Sequence, residues 1–152
     1  MQDRFFPLFV DITGKNVLIV GAGKIAYRKA KTLLEYGASI TVVTREVAEP
    51  KFLELKDVHI EKRDFDEHDI KDKFLVVAAT DDAEFNNYIY NLCKMSNTLV
   101  NNITSKVDMN CRFVSTVETD EYQIGISAKG NPVKSKALKD KIVKFLQNLK
   151  NN

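Results

Sequence analysis

The sequence predicts an α/β protein built on a doubly wound parallel sheet. Two observations carry this prediction: short apolar runs alternate with helical patterns between residues 16 and 101, and a turn with two glycines directly follows the first run. Strands that alternate with helices in this way form parallel sheets, because each helix carries the chain back to the same edge. The chain of 152 residues is long enough to bury a core without disulfide bonds or metals.

Each predicted element rests on a local pattern. Asn16–Val20 is an apolar strand, and residues 24–36 place apolar side chains on one helical face before Gly37, a usual helix terminator. Residues 74–79 are apolar throughout, as expected of a strand that is covered on both faces. We also expect strands at residues 39–43, 58–61 and 98–101, and helices near residues 47–55 and at residues 82–96.

The pattern changes after residue 101. Residues 111–117 and 122–127 are β-like runs joined by four polar residues, which predicts an antiparallel hairpin. Residues 133–149 repeat apolar side chains at steps of three and four, which predicts an amphipathic helix. One small sheet can hardly cover the apolar faces of this hairpin and helix, so we expect them to form the interface of a homodimer.

Composition excludes several classes of protein. The net charge of +2, from 23 basic and 21 acidic residues, is too balanced to indicate a nucleic-acid partner. The apolar runs are far shorter than the roughly 20 residues of a membrane helix, and no signal peptide is expected. The separated cysteines, Cys93 and Cys111, are expected to be reduced thiols of a cytoplasmic protein. The two histidines, His59 and His68, lack ligand spacing, so no metal site is expected.

The glycine turn predicts a phosphate-binding site. Gly21 permits a tight turn, and Gly23 lets a pyrophosphate approach the backbone at the positive end of the following helix. Ala26 fills the third position of the Rossmann fingerprint, where only close packing is required. We therefore predict a Rossmann-like dinucleotide-binding domain at residues 1–105, followed at residues 106–152 by a hairpin and helix for dimerisation and substrate binding.

The choice between NAD and NADP is left open by the second strand. This strand ends in Thr44 and Arg45, and the acidic residue that usually binds the adenosine ribose is displaced to Glu46. Arg45 is able either to accommodate a 2′-phosphate, as in NADP, or simply to line the adenosine pocket.

Several segments together carry a family resemblance. They are Pro7-Leu8-Phe9, the glycine turn with Arg28-Lys29, the AATDD segment ending at Asp82, Val100-Asn101-Asn102, and Ser127 with Gly130-Asn131-Pro132. Through these segments the sequence resembles the precorrin-2 dehydrogenases, which are the N-terminal modules of siroheme synthases. The segments are spread over nearly the whole chain, so the resemblance covers nearly all of it. The resemblance implies oxidation of precorrin-2 to sirohydrochlorin with NAD, usually in a homodimer.

The resemblance and the fold together predict the cofactor-binding residues. These lie at the glycine turn, the start of the first helix and the carboxyl ends of three strands: Gly21, Gly23, Lys24, Ile25, Thr44, Arg45, Glu46, Thr80 and Asn101. For Asn101 and its neighbour Asn102, capping of the strand end is an equal alternative.

The sequence departs from the family pattern at the position of the catalytic aspartate. The family usually has an aspartate shortly after the Val-Asn pair, where this chain has Thr104. Asp108 lies four residues further on, and we expect the loop to be re-registered so that Asp108 takes over as the base. The alternative is an ordinary aspartate of a surface loop.

The C-terminal region is strongly basic. Residues 129–150 contain seven lysines and one acidic residue, Asp140. Such a surface suits the carboxylates of a tetrapyrrole, although a solvated helix face would have the same composition.

Two other functions stay open at this point. Some members of the family also insert ferrous iron into sirohydrochlorin, so this chain could be bifunctional. A non-catalytic, NAD-binding regulatory module is the other alternative, if the displaced aspartate indicates lost catalysis.

Overall fold

The computed structural model describes residues 4–150, and the side chains of residues 4–149. Within this range the chain divides into two compact units, residues 5–111 and residues 112–150 together with Arg4. The outer ends of the two predicted domains, residues 1–3 and 151–152, lie outside the described residues. No helix among the described residues is long and apolar enough to cross a membrane.

The larger unit is a five-stranded parallel sheet with the strand order β3-β2-β1-β4-β5. Its strands are β1 (Asn16–Val20), β2 (Ser39–Thr44), β3 (Val58–Lys62), β4 (Leu75–Ala78) and β5 (Leu99–Asn102). Two helices, α1 (Lys24–Glu35) and α2 (Ala83–Met95), pack against the sheet. The strand order reverses between β1 and β4, so the predicted doubly wound, Rossmann-like fold is confirmed.

Burial explains why the central strands are continuous apolar runs. Every residue of β4 is buried, and β1 is buried from Val17 to Val20, because both strands have neighbours on each side and helices over the faces. The helix α1 buries Ala26, Ala30 and Leu33, which lie at helical spacing on one face. The small side chain of Ala26 is fully buried, as the third fingerprint position requires.

The smaller unit contains the predicted hairpin and helix. The strands β6 (Ser115–Glu118) and β7 (Gln123–Ile126) pair antiparallel, and α3 (Pro132–Lys150) packs against both of them. The hairpin strands are shorter than predicted: β6 begins only at Ser115, because residues 111–114 have no regular secondary structure. The polar connection closes through Thr119, whose amide donates to the carbonyl of Tyr122 at 2.8 Å.

One predicted helix is not α-helical. Residues 47–55 contain only a short 3₁₀ helix, Pro50–Glu54, which begins at a proline and buries Phe52. Glu49 caps the start of this short helix, and the ring of Phe52 at its middle contacts Tyr27 of α1 edge-to-face. A second 3₁₀ helix, Glu67–Ile70, was not predicted from the sequence.

The loop after β5 belongs to the larger unit. The amides of Asn110 and Cys111 both donate to the carbonyl of Val100, and Asn110 accepts from the Val100 amide at 2.6 Å through its side chain. These bonds fold residues 103–111 back onto β5. The units therefore divide after residue 111, six residues beyond the division predicted after residue 105.

Candidate functional site

A cavity of about 750 Å³ opens at the carboxyl ends of the parallel strands. Its walls come from the turn after β1, the ends of β2 and β3, and the segment that joins β4 to α2. This is the crevice where the strand order reverses, the usual ligand site of open α/β sheets. The predicted residues that line it are Gly21, Gly23, Thr44, Arg45, Glu46 and Thr80.

Gly21 is required by the approach of a neighbouring strand. Its φ is +104°, and a Cβ atom there would lie 2.5 Å from the carbonyl oxygen of Ala79. The Gly21 amide donates to Val43 of β2, and the Ala79 amide donates to Val20 of β1. The turn is thus locked between the two strands that flank β1, with no room for a side chain.

The fold itself leaves room for a side chain at Gly23, so the glycine there is explained by the need to keep the cavity open for a ligand. Gly23 caps α1 in an extended conformation, and a Cβ atom there would meet nothing within 4 Å. A side chain would therefore occupy the cavity at the positive end of α1, where a pyrophosphate would lie. The geometry fits a dinucleotide, because the backbone is bare at the point where the helix dipole favours an anion.

Lys24 and Ile25 follow at the start of α1, with exposed side chains that are not among those lining the cavity. Their positions are those whose backbone N–H groups lack partners within a helix. Any contribution of these two residues to phosphate binding would therefore come from the backbone.

The far end of the cavity is a charged corner that we call the ribose corner. It is formed by Thr44, the last residue of β2, by Arg45 and Glu46 after it, and by Arg63 and Asp64 after β3. Thr44 donates its hydroxyl to the carbonyl of Glu46 at 2.6 Å. Arg45 forms an ion pair with Asp64, which raises the pKa of the guanidinium.

An apolar wall stands beside the ribose corner. Phe65 follows Asp64, and its ring contacts Phe85 of α2 edge-to-face, with 5.8 Å between the ring centroids. Both rings line the cavity and pack against the hydrophobic core. Neither was predicted, although the sequence places Phe65 just beyond a strand end. Such a wall is suited to a flat heteroaromatic ring such as adenine.

Thr80 is held by a side chain that the sequence analysis missed. Asn86 of α2 is fully buried, and its Oδ1 accepts from the Thr80 amide at 3.1 Å and from the Thr80 hydroxyl at 2.7 Å. Its Nδ2 donates to the Thr80 carbonyl and to the Thr104 hydroxyl. Asn86 therefore fixes the cavity-lining segment after β4 to the loop after β5.

Asn101 and Asn102 lie on opposite faces of β5. Asn101 is 4% exposed and donates to the carbonyl of Cys111 at 2.9 Å, so it stabilises the loop and does not line the cavity. Asn102 accepts from the amide and hydroxyl of Thr104. Its Nδ2 is buried and has no hydrogen-bond partner among the described residues.

Asp108 lies in the same loop, outside the cavity lining. The hydroxyl of Ser105 donates to its carboxylate at 3.0 Å, and the Asp108 amide donates back to Ser105 at 2.9 Å. The turn closed by these bonds brings the Asp108 carboxylate back to the residue next to Thr104. The side chain is half-buried.

Lys29, part of the Arg28-Lys29 pair in the family resemblance, is partly buried on α1. Burial lowers its pKa to about 8, and the nearby Cys111 opposes this shift. Burial in turn raises the pKa of the Cys111 thiol, while Lys29 acts to lower it. The folded protein therefore holds the Lys29 proton less tightly than an unfolded chain does.

Within residues 4–149, no group of three or more histidine, cysteine, aspartate or glutamate side chains is arranged to hold a metal ion.

Known proteins match the chain over the region that forms the cavity. A family model described as "Putative NAD(P)-binding" matches residues 8–115. Among solved structures, "SirC, precorrin-2 dehydrogenase" superposes with a TM-score of 0.76 and 26% identity, over 92% of this chain and 70% of that chain. The predictions of a dinucleotide cofactor and of the family resemblance are confirmed.

Curated relatives are longer proteins. The siroheme synthase of Buchnera aphidicola is 33% identical over 148 residues, covering 95% of this chain and 31% of the relative. That of Actinobacillus succinogenes is 31% identical over 146 residues, covering 94% of this chain and 31% of the relative. The chain thus spans about a third of the length of these curated relatives.

The two glycines of the turn should respond differently to substitution. Gly23→Val should abolish dinucleotide binding in calorimetry while leaving the fold intact, because its side chain would enter the cavity only. Gly21→Ala should lower the free energy of unfolding by about 2 kcal/mol or more, because its Cβ atom overlaps Ala79. Unchanged NAD affinity in Gly23→Val would contradict the site, and unchanged stability in Gly21→Ala would contradict the packing.

Lys29 should make a pH-dependent contribution to stability. Its folded pKa of about 8 lies below the usual 10.5, so the charged form opposes folding below pH 8, and this cost fades as the pH rises towards 10.5. Lys29→Met should raise the free energy of unfolding at pH 7 by about 2 kcal/mol, with little gain near pH 10. Urea denaturation at both values measures this, with the exposed Lys31→Met as control. A loss of stability at pH 7 would contradict the assignment.

Proposed function

Because the chain belongs to this NAD(P)-binding family, we propose that it catalyses the NAD-dependent oxidation of precorrin-2 to sirohydrochlorin in siroheme biosynthesis. The observation that carries the proposal is the glycine-turn cavity, in a fold similar to a precorrin-2 dehydrogenase over 92% of the chain. The siroheme synthases among its relatives support the same reaction.

The cavity residues would hold the dinucleotide along its length. The bare backbone at Gly21 and Gly23 accommodates the pyrophosphate, and the ribose corner with Phe65 accommodates the adenosine. The segment at Thr80, which Asn86 fixes, would lie against the remaining half of the cofactor. When bound, NAD supplies the hydride acceptor.

The reaction also releases a proton. Precorrin-2 and NAD⁺ give sirohydrochlorin, NADH and H⁺, so one hydride leaves to the cofactor and one proton leaves to a base. Asp108 is the carboxylate we propose for this step, since the hydrogen bond from Ser105 holds it beside the residue that follows Thr104 in the loop after β5. A hydroxyl such as that of Thr104 cannot accept a proton usefully at neutral pH.

The basic residues of the smaller unit suit an anionic substrate. Lys134, Lys136, Lys141 and Lys144 are exposed along α3, and Lys129 is exposed just before it. Lys139 is half-buried on the same helix, and the side chain of the seventh lysine, Lys150, lies outside the described residues. Exposed cations raise the local concentration of a polycarboxylate and its rate of association. We propose that this surface attracts the acidic side chains of the tetrapyrrole.

We also propose that the protein acts as a homodimer through the smaller unit. On one face of α3, Phe145 is 62% exposed, and Leu138 and Leu149 are exposed as well. An apolar surface of this kind, flanked by lysines, is typical of a protein interface. A second copy of the chain would bury it.

The proposed location is the cytoplasm. Cys93 and Cys111 are both free thiols in the structure, and Cys93 is buried. Unpaired cysteines of this kind are usual where the compartment is reducing.

Stepwise addition tests the reaction. Precorrin-2 is mixed with the protein, then NAD and finally Fe²⁺ are added while the visible spectrum is recorded. A change on adding NAD, with formation of NADH, supports the dehydrogenase, and a further change with iron would add a ferrochelatase activity. Intact NAD binding with no spectral change would overturn the proposal in favour of a regulatory module.

Asp108→Asn should lower turnover of precorrin-2 about 10²-fold or more, because the amide keeps the size of the carboxylate but cannot accept the proton. NAD affinity should stay nearly constant, since Asp108 does not line the cavity. Steady-state kinetics and calorimetry measure the two effects. Asp72→Asn, at an exposed position, serves as the matched control. Turnover within threefold of the wild type would exclude Asp108 as the base.

Light scattering at micromolar concentration should give the mass of a dimer. Phe145→Asp should shift the equilibrium to the monomer, because it places a charge in the apolar surface, whereas Gln147→Glu at an exposed polar position should not. A monomer mass for the wild type would refute the proposed assembly.

A further inference from the structure

The charges of the ribose corner bear on which dinucleotide the cavity accepts. At the end of the second Rossmann strand, an acidic residue binds the 2′-hydroxyl of NAD, whereas a nearby arginine accommodates the 2′-phosphate of NADP. Arg45 directly follows β2 and, considered alone, would favour NADP.

Arg45 is already engaged by a carboxylate. Its Nε donates to Oδ1 of Asp64, and the two side chains form an ion pair. Both are largely exposed, at 85% and 71%, so the pair adds little to the stability of the fold. Its effect on a ligand is larger, because a phosphate that approached Arg45 would lie beside the Asp64 carboxylate.

Arg63 offers no replacement for Arg45. Its two terminal nitrogens donate to both carboxylate oxygens of Asp69, at 2.8 and 2.7 Å, and its Nε donates to Glu61 at 2.7 Å. The Nη1 atom also donates to the carbonyl of Asp64. These bonds hold the loop after β3 and use the donors that Arg63 would need to bind a phosphate.

The remaining lining charges are negative. Among the described residues that line the cavity, Arg45 and Arg63 are the basic ones, and Glu46, Asp64, Asp81 and Asp82 are acidic. A neutral 2′-hydroxyl is compatible with these surroundings, since it is able to donate to a carboxylate. A 2′-phosphate would add two negative charges where both arginines already have acidic partners.

We propose that Asp64 is a specificity-determining residue that makes the cavity select NAD over NADP. It does so by engaging Arg45 and by placing a carboxylate where the 2′-phosphate would lie. The inference rests on the dinucleotide site of the proposed function and is independent of precorrin-2.

Calorimetric titration with NAD and NADP tests this role. The wild type should bind NAD more tightly, and Asp64→Asn should raise NADP affinity about tenfold by releasing Arg45 and removing the repulsion. NAD affinity should change by less than about threefold, and the gain for NADP should shrink at high salt because the charges are exposed. Adding Arg45→Ala to Asp64→Asn should abolish the gain.

Asp57→Asn is the matched control. Asp57 is exposed at the opposite end of β3, and its φ of +66° is one that asparagine tolerates. The inference is overturned if the ratio of NAD to NADP affinity is the same in Asp64→Asn and Asp57→Asn, or if the wild type prefers NADP. Failure of the wild type to bind either dinucleotide would overturn the cofactor site as well, whereas binding with an unchanged ratio would overturn the role of Asp64 alone.

Discussion

The close approach between Gly21 and Ala79 is the constraint on which the site depends. Because β1 and β4 are adjacent in the sheet, the turn after β1 must pass within contact of the segment that leaves β4. The amide of Gly21 is bonded to Val43 on the other side, so the turn cannot move towards either neighbour. This fixes the start of α1 at the carboxyl ends of the strands, where the cavity opens. The backbone of Gly23 is available to a pyrophosphate only because the turn at Gly21 positions it at the start of α1.

Patterns that are local in sequence allowed the sheet and the glycine turn to be predicted. The strand β1 has the predicted bounds, and β4 lies within its predicted apolar run, since burial on both faces leaves a continuous apolar signature. The segment after β2 could not be predicted in this way. Its apolar residues suggested a helix, but Pro50 and the burial of Phe52 against Tyr27 leave room for one 3₁₀ turn.

The parts of the site that sequence reasoning missed depend on contacts between distant segments. Asn86 is one polar position in an amphipathic helix, and nothing in the sequence distinguishes it until α2 lies over the end of β4. Asp64 likewise resembles any loop aspartate until β3 pairs with β2 and brings it to Arg45. Alternation along β5 separates Asn101 from Asn102, so Asn101 donates to the loop carbonyl of Cys111 while Asn102 accepts from Thr104.

A crystal structure of the protein with NAD is the decisive measurement, because it places the whole cofactor against the residues proposed to hold it. We expect the pyrophosphate over the backbone of Gly21 and Gly23, the adenosine between Glu46 and Phe65, and the nicotinamide beside the segment after β4. Density for NAD outside this cavity, or with the pyrophosphate away from the glycine turn, would contradict it.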